Sequence, residues 1–145
     1  FAAMILNIVV GFFGAIQLAT EFIGTLGLTP LQLILCVIVF YLIIGMFMET
    51  FSMMLTTIGV VFPLVTSMGF DPVWFGILVV MLVELGLITP PIGMNLFILR
   101  SIVPDVPLST IIRGILPFVI SDIIRVGLIG FFPVIALFLP GLFFD

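Results

Sequence analysis

Long apolar runs, broken where Pro, Gly and charge gather, divide the chain into segments. The first run covers residues 1–26 and is interrupted by Asn7, Gly11, Gly14, Gln17 and Glu21. Gly27-Leu28-Thr29-Pro30 closes it, with Thr29 placed to cap the next helix and Pro30 at that helix's first position. The second run, residues 31–46, carries no charge, and the polar interruption Gly45-Met46-Phe47-Met48-Glu49-Thr50 follows. The third, residues 51–65, holds Ser52, Thr56 and Thr57 and ends at Ser67-Met68-Gly69. Asp71 as N-cap and Pro72 open a fourth run, which continues to Leu87 and meets Ile88-Thr89-Pro90-Pro91-Ile92-Gly93. A short fifth piece spans 94–102, and 101–109, with Pro104, Asp105 and Pro107, reads as a loop. The last stretch, 110–142, would be ~50 Å long as one helix, too long for a ~30 Å hydrocarbon core. Pro117 and the Ser121-Asp122…Arg125 cluster predict a split there: an interfacial helix over 109–122 and a last span over 123–142.

Composition decides the solvent. Of the residues, 64% are hydrophobic and 7% charged, against about 25% charged in soluble domains. So few ionic groups cannot cover a water-facing surface, and the fold class predicted is an all-α membrane protein. A net charge of −4, with three Arg and no His, excludes a basic nucleic-acid footprint and any His-based catalysis or His-ligated metal. The single Cys36 permits no disulfide framework. Phe1 is not an initiator Met and no basic region precedes the first run, so residues 1–20 are not read as a signal peptide but as part of a longer membrane protein.

Two segments read differently from ordinary spans. Residues 31–67 hold two short apolar stretches around a polar tip, which predicts a re-entrant hairpin; two ordinary short spans joined at Glu49-Thr50 are the alternative. Residues 71–102 predict one helix broken at Thr89-Pro90-Pro91, since two prolines remove two backbone donors and clash with the preceding turn. In lipid, the carbonyls so freed must find partners in protein, water or ions; the alternative is a simple kink satisfied by Ser or Thr. Arg100 and Arg113 flank the loop near 101–113, and the positive-inside tendency places it in the cytoplasm. The hairpin then opens from the outer side.

A hairpin tip and a mid-membrane break are where secondary transporters build their sites. Half-helix N-termini suit an anion, and half-helix C-termini with unwound carbonyls suit Na⁺. Thr50, Ser52, Thr56, Thr89 and Asn95 can add hydroxyl or amide oxygens. Glu49 and Glu84 are the acids within the apolar landscape, where an acid is a functional candidate by default; a solvated tip residue and an interhelical hydrogen bond are the respective alternatives. Met46, Met48, Met53 and Met54 read as adaptable packing. Ser52 and Ser121 have no His partner, so nucleophilic catalysis is a poor reading, and no enzyme is expected.

Gly45-Met46-Phe47-Met48-Glu49, Pro63, Gly69-Phe70-Asp71-Pro72-Val73-Trp74-Phe75-Gly76 and Leu85-Gly86-Leu87-Ile88-Thr89-Pro90-Pro91-Ile92-Gly93-Met94-Asn95-Leu96-Phe97 resemble the C-terminal part of the large membrane subunit of TRAP transporters. Phe132-Pro133…Leu139-Pro140 is similar to that family's last span, and the resemblance covers essentially the whole chain. It implies the second half of an inverted-repeat, elevator-type transporter in the cytoplasmic (inner) membrane. It also implies a small TRAP membrane subunit and a periplasmic solute-binding protein as partners, a small organic-acid anion such as a dicarboxylate or sialic acid as cargo, and Na⁺ as coupling ion with no covalent cofactor. Carried over by motif, Gly45, Glu49, Thr89, Pro90 and Gly93 would hold Na⁺, and Thr50, Ser52 and Asn95 would face the substrate. Family members commonly have Asp where this chain has Glu49. A carrier of the wider ion-transporter group that needs no binding protein, and a structural membrane subunit, are the competing readings.

Overall fold

The computed structural model describes residues 29–144 together with Ile5, Glu21, Thr25 and Gly27. The span expected over 1–26 therefore lies outside the described residues, apart from Ile5, Glu21 and Thr25. Every element among the described residues is an α-helix: α1 Pro30–Gly45, α2 Thr50–Ser67, α3 Pro72–Ile88, α4 Met94–Ile102, α5 Leu108–Phe131 and α6 Pro133–Phe144. Two of them, α2 and α5, are long and apolar enough to cross a membrane.

Local chemistry sets the starts. Thr29 accepts from the Gln32 backbone N–H while the Gln32 side chain accepts from the Thr29 N–H, a reciprocal cap with Pro30 next to it. Asp71 Oδ1 accepts from the N–H groups of Val73 and Trp74 at 2.8 and 3.0 Å and opens α3. Between α2 and α3, Gly69 takes φ +90°, a left-handed turn that ends α2 and that glycine adopts without a Cβ clash.

The helices pack around α3. Trp74, Phe75, Leu78, Val79, Leu82 and Val83 are fully enclosed, and α1 adds Leu33, Ile34, Val37 and Tyr41. From α2 come Met53, Leu64 and Val65, and from α5 Val119 and Val126. A helix apolar on nearly every side belongs in the middle of a packed group. The α1–α2 pair is an antiparallel hairpin, with Tyr41 opposite Thr57 and Leu33 and Val37 alongside Val61 and Leu64. Thr57 gives its hydroxyl proton to the Met53 carbonyl at 2.8 Å. The Tyr41 hydroxyl is thus the donor in its 2.9 Å bond to Thr57, and one part-buried polar chain ties the two arms together.

The hydroxyls of α2 turn back on their own helix. Thr56 bonds to Ser52, Thr66 to Phe62 and Ser67 to Leu64, each through a carbonyl. Such pairing leaves none of these three O–H groups bare, as a low-dielectric surrounding demands.

The split expected at residue 122 does not occur. α5 runs unbroken through Pro117 and the Ser121–Arg125 cluster to Phe131, about 36 Å at 1.5 Å per residue. Pro117 removes one hydrogen bond without stopping the helix. The charges need no exit to water, because Arg125 and Asp122 close an ion pair at 2.9 Å on adjacent turns. The break falls instead at Phe132, whose φ of −124° and ψ of 75° leave the helical region, as expected of a residue that precedes proline. There is accordingly no separate helix over 109–122, and Pro140 lies inside α6.

Candidate functional site

Two loops hold or adjoin the candidate residues: the hairpin tip, 46–49, and the break, 89–93. At the tip the chain makes a tight turn, with Met46 donating to Ile43, and Phe47 and Met48 both donating to the Ile44 carbonyl. Glu49 is the N-cap of α2. Its Oε1 accepts from Phe51 N–H at 2.8 Å, while Oε2 accepts from the Ser52 N–H and hydroxyl, both at 3.1 Å. Both carboxylate oxygens thus face the helix start that they neutralise. Ser52 is engaged in the same cap. Thr50 is half-buried, and its side chain makes no hydrogen bond among the described residues.

At the break, sequence dictates which carbonyls lose their partners. The groups that would bond to Gly86 and Leu87 belong to Pro90 and Pro91, which have no N–H. Gly86 recovers a partner in the Thr89 N–H at 3.2 Å, and the Thr89 carbonyl accepts from Gly93 N–H at 3.0 Å. No backbone donor among the described residues reaches the carbonyls of Leu87 and Ile88. The Thr89 hydroxyl donates its proton to the Leu85 carbonyl, so its remaining capacity is two lone pairs. Toward any further partner it acts as an acceptor only.

Gly93 closes this loop. A Cβ there would lie 2.6 Å from the Leu87 oxygen and 2.9 Å from the Thr89 oxygen. Any side chain would therefore push into the Leu87 carbonyl that Pro91 leaves without a donor, and into the Thr89 carbonyl beside it. The Pro90–Pro91 peptide bond is cis, and α4 starts at Gly93 with no side-chain cap. Asn95, in the first turn of α4, is exposed and makes no side-chain hydrogen bond among the described residues.

A glycine crossing joins the two regions. A Cβ on Gly86 would stand 2.8 Å from the Gly45 Cα, 2.9 Å from its carbonyl carbon and 3.3 Å from its oxygen. Gly45 and Gly86 thus pack backbone on backbone, with the Gly45 carbonyl group at the contact. Gly45 is the last residue of α1 and Gly86 lies in the last turn of α3, so the C-termini of α1 and α3 converge here. Neither helix has a basic residue in its last turn, so two partial negative ends meet without a fixed cation.

Of the residues singled out from sequence, Gly45, Thr89 and Gly93 are brought to this convergence. Glu49 and Ser52 are committed to the α2 cap, and Thr50 starts that helix. Pro90 acts by withholding a donor. Asn95 lies beyond the break, at the uncapped start of α4. Glu84 sits on the outward face of α3, exposed while Val83 and Leu85 are buried, and meets no ion-pair partner among the described residues. Gly86, at the backbone crossing, is the position that sequence reasoning missed. It stood inside the quoted motif, and its spacing of three from Thr89 gave no sign of a backbone crossing. Among the described residues no group of three or more His, Cys, Asp or Glu could hold a metal; the oxygens here are carbonyls and one hydroxyl, hard neutral donors.

Residues 1–135 match the family described as "Tripartite ATP-independent periplasmic transporter, DctM component". The chain is 34% identical over 127 residues to the sialic acid TRAP transporter large permease protein SiaM of Vibrio cholerae, covering 88% of this chain and 30% of that protein. It is 36% identical over 125 residues to the C4-dicarboxylate TRAP transporter large permease protein DctM of Pseudomonas aeruginosa, covering 86% and 29%. A third relative, the isethionate TRAP transporter permease protein DctMQ of Oleidesulfovibrio alaskensis, is 33% identical over 118 residues, covering 80% and 18%. The chain thus spans at most about 30% of the length of these relatives.

Proposed function

The chain belongs to the DctM-component family of tripartite ATP-independent periplasmic transporters, and on that premise we propose that it forms the part of a large permease subunit that carries a small organic-acid anion across the cytoplasmic membrane together with Na⁺. The observation that carries this reading is the convergence of the α1 and α3 C-termini at Gly45–Gly86, with no basic residue in either last turn. Na⁺ takes neutral oxygens, and the candidates are the carbonyls of Gly45, Leu87 and Ile88 and the lone pairs of Thr89. Glu49, Pro90 and Gly93 act on this site from one step away: Glu49 fixes the tip, Pro90 stops α3 by withholding a donor and Gly93 leaves room.

For the anion, the start of α4 is the better of the two helix N-termini. Glu49 already neutralises the start of α2, whereas Met94 and Asn95 begin α4 without a cap. Asn95 supplies an amide N–H donor, and Thr50 an uncommitted hydroxyl across the tip. Relatives are named for sialic acid, C4-dicarboxylate and isethionate, and these names support an organic-acid anion as the substrate class. A periplasmic solute-binding protein and a small membrane subunit complete the system, and the lipid bilayer is its surrounding.

In this reading α1–α2 is a re-entrant hairpin and α3–α4 a helix interrupted within the membrane, the pair forming the second of two inverted halves. The decisive test of function is uptake by the full-length permease in proteoliposomes with its small subunit and binding protein. An inward Na⁺ gradient should drive accumulation of the anion, and replacing Na⁺ with K⁺ should stop it. Uptake of equal rate in K⁺ would remove Na⁺ coupling, and full uptake without the binding protein would favour the independent-carrier reading.

The hairpin has its own test. Single cysteines at Thr29 and Gly69, in a permease with its other cysteines replaced, should both react with an impermeant thiol reagent added from the periplasmic side. Reaction of one from outside and the other only from the cytoplasmic side would make α1–α2 a spanning segment.

A further inference from the structure

We infer that Trp74 is a positioning residue: its indole N–H gives the Ile129 carbonyl the hydrogen bond that Pro133 cannot, and so pins the break between α5 and α6 to the first turn of α3. In an unbroken helix, the Ile129 oxygen would accept from the residue four positions on. That residue is Pro133, which has no N–H. Phe132 cannot substitute, because its N–H already bonds to Leu128 at 2.8 Å. Trp74 Nε1 fills the place at 2.8 Å, from a residue 55 positions away in the chain.

The donor is itself firmly held. The Trp74 backbone N–H bonds to the Asp71 cap at 3.0 Å, and its ring stacks on Phe70 with centroids 5.2 Å apart. Only 1% of its surface is exposed, so the indole itself is shielded from water. A buried tryptophan commonly finds some acceptor for its N–H. Here the acceptor is the carbonyl that proline chemistry leaves bare, and a bare carbonyl is costly in a dry surrounding. The pin therefore acts on α6, whose Ala136 and Leu137 pack against the core. Without it the break can relax and α6 can part from α3.

This inference does not rest on the ion site, and its test needs neither Na⁺ nor substrate. In the detergent-solubilised full-length permease, with Cys36 (exposed) and any other cysteines replaced, Ala136→Cys reports the seating of α6 by its rate of thiol labelling. Trp74→Phe keeps an aromatic ring and deletes the donor. It should speed labelling about fivefold, the factor expected from one hydrogen bond of ordinary net strength. Pro133→Ala restores a backbone N–H four residues after Ile129, so labelling in Trp74→Phe/Pro133→Ala should return most of the way to the parent rate. Rescue by a donor supplied from α6 itself is what mere packing of the tryptophan would not produce. An unchanged rate in Trp74→Phe, or an equal acceleration with proline and alanine at 133, would overturn the pin. If Trp74→Phe does not accumulate, the double variant decides: recovery supports the pin, and loss in both backgrounds overturns it.

Discussion

Gly86→Ala should raise the Na⁺ concentration for half-maximal uptake by at least tenfold and lower the maximal rate, while Gly45→Ala does the same more weakly. The order follows from what each new methyl group meets. On Gly86 it lies 2.8 and 2.9 Å from the Gly45 Cα and carbonyl carbon, atoms of a helix backbone that cannot swing aside. On Gly45 its tightest neighbour is the Gly86 Cα at 3.2 Å, which a shift of a few tenths of an ångström relieves. Opening the crossing moves the hairpin tip away from the break as a unit. A misplacement of ~1 Å at a site that depends on geometry costs up to about a hundredfold, so tenfold is a modest expectation. The measurement is Na⁺-dependent uptake in proteoliposomes, normalised to folded protein from size-exclusion profiles. Both variants folding and showing the parent's Na⁺ dependence would mean that the crossing is packing alone, and that Na⁺ is held elsewhere.

The hairpin and the break are legible in the sequence because both rest on local chemistry. Thr29-Pro30 and Asp71-Pro72 cap and start helices wherever they occur, and Pro90-Pro91 withholds two donors whatever surrounds it. The boundaries of α1, α3 and α4 follow from such signals to within a few residues. The far end of the chain is less legible. Pro117 and Pro133 look alike as symbols, yet only Pro133 marks a break. The difference lies in what receives the orphaned carbonyl: at Pro133 a tryptophan from α3 waits for it. Charge misled in the same region, since Asp122 and Arg125 suggested a segment at the interface and instead neutralise each other within one helix. The site divides in the same way. Thr89 and Gly93 can be picked from the break itself, but the role of Gly86 appears only when α1 is laid across α3. Glu49 stood out as an intramembrane acid, and in the fold its charge is spent on the N–H groups of its own helix.

Thr89→Val should weaken Na⁺ without unfolding the permease, and the geometry of the hydroxyl shows how to separate its two roles. Thr89 Oγ1 donates to the Leu85 carbonyl and has lone pairs left for a cation. Valine keeps the shape and loses both functions, so stability alone cannot distinguish them. Thr89→Ser keeps the oxygen and the donated proton and loses only a methyl group, which makes it the control. Removing one neutral oxygen from several should cost about 1–2 kcal/mol of Na⁺ binding, by analogy with a lost hydrogen bond, or roughly a five- to thirtyfold higher Na⁺ requirement. The loss of the Leu85 contact appears separately, as a lower melting temperature of the purified protein in Na⁺-free buffer. A bound ion raises the melting temperature in proportion to the logarithm of its concentration over its Kd. Titrating NaCl against choline chloride therefore reads affinity independently of the starting stability. The expected result is a thermal-shift curve displaced to higher Na⁺ in Thr89→Val and close to the parent in Thr89→Ser. Curves that coincide for all three proteins would show that the hydroxyl serves only to tie Leu85, leaving the carbonyls of the broken helix to hold the ion by themselves.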